Sequence, residues 1–209
     1  MKSNGTGHDG NAGGHGPERE VAPPPDQVRD LAEGCVRFVQ RALGVALDYE
    51  PETLPLVDHW IEQARRDAAA RPEAAVVVAH AAGAYFGEVV RRRYPSWWRV
   101  AGGDPGAFRI ELEPVYLSFC PAELCADAIH RAVVEGEEEA AGEQLELDDA
   151  DREAVTERLA ELPPVPEDEF FALSTRLEVI DIAVEAIRAR RIAAGDEADA
   201  ALGPADYED

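Results

Sequence analysis

Two glycines, Gly83 and Gly87, stand four residues apart in a segment that otherwise reads as a long apolar helix, and Ala79 extends their spacing by one more step of four. At 3.6 residues per turn these positions share one face, so that face carries almost no side chain. Each glycine in a helix interior costs about 1 kcal/mol relative to alanine. A chain that retains two of them needs something to offset that cost, and close approach of another element is the simplest candidate. The spacing therefore predicts a helix over about 73–94, opened by Pro72, that nests tightly against its neighbours and does not cradle a ligand. His80 flanks the stripe among Val76, Val77 and Ala84 and reads as a partly buried structural histidine. Glu88 is placed to pair with Arg91 or Arg92, and Arg91–Arg93 complement the negative end of the helix.

The rest of the chain organises around this segment. Val28, Leu31, Cys35, Phe38, Val39 and Ala42 recur at helical spacing after a candidate cap at Asp26, and Gly44 can end that helix in the left-handed conformation. A second helix over about 52–70 has Leu54, Val57, Trp60 and Ile61 inward, which leaves His59 on the exposed side. After Pro95 the period drops to two. Trp97 and Trp98, then Phe108, Ile110 and Leu112, then Val115, Leu117 and Phe119 read as two or three antiparallel strands. Adjacent tryptophans in a strand face opposite ways, so one belongs to the core and the other either packs on a helix or lies exposed beside a possible pocket. Pro114 marks either a turn or a bend. Further helices follow over 121–134, about 150–161 and about 167–193. The last carries two apolar stripes, one through Leu173, Leu177 and Ile180 and one through Phe171, Val179 and Ile182.

Charge limits the partners. The chain of 209 residues has 20 Lys+Arg and 43 Asp+Glu, for a net −23. Residues 135–209 hold 24 of the acidic residues against 6 basic ones. A polyanion with a single basic cluster, Arg91–Arg93, lacks the compensating face that nucleic acid requires, and anionic membranes are disfavoured for the same reason. The longest uninterrupted apolar runs, such as Ala74–Val78, are too short to span a bilayer. No apolar leader core opens the chain, and three cysteines are too few and odd in number for a disulfide framework. The expectation is a cytoplasmic protein with reduced thiols.

Few residues carry chemistry. Cys120, Cys125 and His130 lie at intervals of five, which turns them apart around a helix and leaves a zinc site without a fourth ligand. Cys120 precedes a proline-led helix whose N-terminus could lower its pKa. A base for it would have to come from His80, and nothing in the sequence brings the two together. Phosphate-loop, nucleophile-elbow and zinc-hydrolase motifs are absent from the sequence. No metal or cofactor is expected.

Leu47-Asp48-Tyr49-Glu50-Pro51-Glu52-Thr53-Leu54, then Gly83-Ala84-Tyr85-Phe86-Gly87-Glu88-Val89-Val90-Arg91, then Trp98, resemble an uncharacterised family of small bacterial α+β domains. The resemblance covers about residues 30–135. It implies a helix entered through the Leu-Asp-Tyr segment, the Gly-x-Tyr-x-Gly-Glu helix, a Trp-bearing hairpin and a proline-led helix. It implies no activity and no catalytic residues.

These readings combine into an α+β fold with four to five helices packed on a small antiparallel sheet of two or three strands. Residues 1–25 form a disordered Gly/Pro-rich tail and 26–134 the α+β domain. Residues 135–149 form an acidic flexible loop, 150–193 helices packing on the same domain, and 194–209 an acidic frayed tail. The function expected is a non-enzymatic protein-interaction domain, docking a protein partner through Tyr85, Trp97 or Trp98 and the sheet's open face. The alternatives are a small-molecule hydrolase or ligand-binding enzyme using His80, Glu88 and Cys120, and an acidic immunity-like partner of a basic protein.

Overall fold

The computed structural model describes residues 22–130, 142–166, 169–196 and 201–208. The expectations for residues 1–21 and 131–141 lie outside these. Among the described residues the chain forms six α-helices and a four-stranded antiparallel sheet, an α+β arrangement. Both counts exceed the four to five helices and two or three strands expected. The additional strand is Glu146–Leu147, within the segment read as a flexible acidic loop; two residues are too few to show an alternation in sequence.

Helix α1 (Asp26–Leu43) begins one residue after Pro25, which takes the capping position expected of Asp26, and ends at Gly44 with φ +71°. Helix α2 (Leu54–Asp67) follows a single 3-10 turn over Pro51–Thr53. Helix α3 (Pro72–Arg93) is the central element, with every residue from Ala81 to Arg91 buried. By length and composition alone this helix could cross a membrane, despite the short apolar runs noted in sequence. Here α1, α2 and α4 pack on it, which is why its middle can be apolar on all sides, while its first turns leave Val76 and Val77 exposed.

Strands β1 (Ser96–Arg99), β2 (Arg109–Leu112), β3 (Leu117–Phe119) and β4 (Glu146–Leu147) pair in that order. The register sets Trp98 opposite Ile110 and Ile110 opposite Phe119, so the apolar residues share one face and meet α3. The same register puts Trp97 opposite Glu111 and Glu111 opposite Ser118 on the other, polar face. Pro114 lies in the bend between β2 and β3. Helix α4 (Pro121–His130) then runs back over α3.

The glycine stripe is a packing seam. A Cβ at Gly83 would lie 2.6 Å from the Ala122 backbone nitrogen, and one at Gly87 would lie 2.3 Å from Cζ2 of Trp98. Gly83 thus admits the start of α4 and Gly87 admits an indole. The void left between His80, Gly83 and Trp98 is about 10 Å³, no more than one water needs.

Helices α5 (Asp149–Ala160) and α6 (Leu173–Ala194) complete the body. The α6 N-terminus is capped from a distance, with Asp58 of α2 accepting the Leu173 N–H at 2.8 Å. Helix α6 starts at Leu173, later than the expected 167, and both apolar stripes read for that segment are used within the chain: Leu177 and Ile180 are buried, and so are Val179 and, in the turn ahead of the helix, Phe171. Residues 201–208 are not a frayed tail. They fold into a turn over Pro204–Tyr207 and dock on the polar side of the sheet, through contacts that acidic composition does not announce.

Candidate functional site

Each residue singled out for chemistry or recognition has a definite place. Glu88 is buried on α3 and its Oε1 accepts from Trp98 Nε1 at 2.7 Å and from an Arg91 nitrogen at 2.9 Å. Arg91 also donates to the Ala22 carbonyl at 2.8 Å. This carboxylate therefore ties the hairpin to α3 and neutralises a buried guanidinium. His80 lies two turns away, half-buried beside the turn at Gly106. Cys120 stands at the start of α4, its thiol pushed up to about 11 by burial and by Glu123. That is opposite to what a thiolate nucleophile at a helix N-terminus needs. No hydrogen bond joins any two of His80, Glu88 and Cys120 among the described residues.

The recognition residues are distributed differently from the sequence expectation. Tyr85 is fully buried, and its hydroxyl accepts the Tyr49 N–H at 2.8 Å and lies 2.6 Å from Thr53 Oγ1. Trp98 is the core tryptophan, inserted over Gly87. Neither can anchor a partner on the folded surface, because both are already used to join elements of the chain. Trp97 is the outward tryptophan; its Nε1 donates to Glu111 at 2.5 Å and its ring meets Tyr207 edge-on. The sheet face it stands on is not open, since the C-terminal segment covers it.

The two stretches that suggested a family meet at Tyr85. Tyr49 adopts φ +66°, a left-handed conformation unusual for tyrosine. Stacking on Tyr85 at 4.8 Å, the Tyr85 hydroxyl and the Arg92 guanidinium over its ring hold it there. These motif residues thus have an architectural task that accounts for their types. Comparison of the chain with family models, with curated proteins and with solved structures finds no match.

A concavity of useful size lies elsewhere, where α1, the C-terminal half of α2 and the first turns of α3 meet. It is a cleft of about 420 Å³, open on one side. Phe38 and Trp60, stacked at 5.5 Å, form one wall, and Ala74, Val77 and Val78 the other. Its volume falls within the range of about 300–1,000 Å³ typical of ligand-bearing clefts. Phe38 is 45% exposed and Val77 53% exposed, and Val76 beside them is exposed as well. Asp67 and Arg71 stand on the rim, and among the described residues neither side chain has a hydrogen-bond or ion-pair partner. The sequence signals were there: Phe38 belongs to the apolar stripe of α1, and Val76 and Val77 to the run before the glycine stripe. Helical periodicity assigned Phe38 to the core, and only the folded arrangement, which leaves Phe38 45% exposed, shows that the core ends short of it.

Proposed function

We propose that the chain is a non-enzymatic protein-interaction domain, and that the Phe38–Trp60–Val77 cleft receives an amphipathic helix of a partner. The observation that carries this reading is the cleft itself. It joins exposed aromatic and branched aliphatic side chains to a polar rim, and no group on its walls could act as nucleophile with a matched base. Helix-in-groove recognition uses apolar anchors at i and i+4 laid into such a trough. The unpaired rim charges set the partner's chemistry: a carboxylate opposite Arg71 and a basic residue opposite Asp67, flanking the apolar stripe. A cytoplasmic setting and kinship with the uncharacterised bacterial domains belong to the same proposal, and neither adds an activity.

The test is selection from a displayed library of helical peptides with the full chain as bait. Enrichment of sequences with paired apolar anchors, whose binding is lost with Phe38→Asp, supports the reading. The variant's stability should stay within about 1 kcal/mol of wild type, since half of the ring is already in water. Failure to enrich, or peptides that bind Phe38→Asp equally well, would overturn it.

A further inference from the structure

The polar face of the sheet holds a second, independent feature. Glu111 lies at its centre with no solvent exposure, flanked by Trp97 and by Arg99, which pairs with its carboxylate. Ser118, equally buried, bridges Arg109 and Glu146. What seals this face is the chain's own C-terminal segment. The Tyr207 hydroxyl accepts the Leu117 N–H at 2.9 Å and lies 2.7, 2.9 and 3.2 Å from the carbonyl oxygens of Leu112, Val115 and Leu117. Its ring stacks on Tyr116 at 4.6 Å. Two backbone contacts complete the docking: Leu202 N–H to the Glu113 carbonyl at 2.8 Å, and Arg99 to the Pro204 carbonyl at 2.9 Å.

This is the anatomy of a bound peptide. One aromatic anchor supplies the side-chain contacts, a single turn presents it, and Ala201, Pro204, Ala205, Asp206 and Glu208 remain exposed. Anchor-dominated recognition of this kind concentrates binding energy in one or two side chains. Arg99 is held in its cationic form chiefly by Glu111, and Glu208 of the docked segment adds a weaker attraction. We propose that the outer sheet face is a recognition surface for a tyrosine-centred acidic peptide of a partner protein, and that residues 201–208 occupy it as a resident competitor. A segment tethered to its own site acts at an effective concentration near the millimolar range, so it suppresses binding in trans until it is displaced. The site shares no residue with the Phe38 cleft and does not depend on it.

The experiment titrates a synthetic peptide spanning residues 201–209 into the full-length wild type and into full-length Tyr207→Ala, with Trp97 fluorescence as the reporter. Tyr207→Ala should bind the peptide saturably, and wild type at least tenfold more weakly. Phenylalanine in place of the peptide's tyrosine should lower affinity by about tenfold through loss of the hydroxyl contacts. The fluorescence change should vanish with Trp97→Phe. A folded Tyr207→Ala that ignores the peptide at millimolar concentration overturns the proposal, as does equal binding by wild type. Hydrogen exchange on the wild type covers the case in which Tyr207→Ala does not fold. The Leu117 amide should exchange through a local opening, at least a hundredfold faster than the Ile110 amide. If it exchanges only with global unfolding, the segment is part of the core and no displaceable occupant exists.

Discussion

Asp58 and Glu88 are carboxylates that look alike in sequence and do opposite things to stability. Asp58 accepts the first N–H groups of α6, and burial pushes its carboxyl up from 3.8 to about 6 in spite of those hydrogen bonds. The folded chain therefore holds this proton more tightly than the unfolded chain. The resulting stabilisation is complete below the ordinary carboxylate range and is lost as pH rises through about 6. Asp58→Asn keeps an acceptor oxygen and removes the charge. Urea unfolding at pH 4 and pH 7.5 should show a pH-dependent difference of about 2 kcal/mol between wild type and variant, the variant being favoured at the higher pH. Glu88 behaves differently because its partner is a buried guanidinium. Glu88→Gln leaves Arg91 without its counter-charge and should cost about 3–5 kcal/mol. A Glu88→Gln protein of unchanged thermal midpoint would mean that this carboxylate is not structural.

At the scale of elements, the glycine stripe makes the sharpest contrast. Gly34 in α1 has nothing within 4 Å of an added Cβ, whereas Gly83 meets backbone atoms of α4 that no rotamer change can move. Gly34→Ala should therefore stabilise by up to about 1 kcal/mol, and Gly83→Ala should destabilise by about 2–4 kcal/mol despite the same gain in helix propensity. Thermal unfolding of both variants checks the pair, and equal effects would contradict the seam. Much of this was legible from the chain alone: helices α1 to α3, the close approach implied by Gly83 and Gly87, and the opposite facing of the two tryptophans. The exceptions have a common cause. Strand β4 is too short for a period, and Tyr85 reads as a surface anchor until Tyr49 and Thr53 are brought to it across more than thirty residues. The docking of Tyr207 likewise depends on carbonyl groups in a bend about ninety residues earlier, which no local pattern encodes.

Over the whole molecule, the net charge of −23 opposes compaction. Added monovalent salt should raise the unfolding midpoint until repulsion is screened, over about 0.1–0.5 M. A midpoint independent of salt would mean that the acidic residues are already locally compensated. The same global charge repels an acidic partner at long range, so recognition at the Phe38 cleft must rest on short-range apolar contact with charge matching at the rim. One titration addresses that directly. An amphipathic helical peptide with a glutamate placed for Arg71, and its counterpart with lysine at that position, are measured against wild type and Arg71→Glu by the shift of the Trp60 indole N–H resonance. Wild type should prefer the glutamate peptide and Arg71→Glu the lysine peptide, each by about tenfold, with both peptides moving the Trp60 signal. Preferences that do not reverse, or binding that leaves Trp60 unmoved, would contradict the assignment of this cleft as the docking surface.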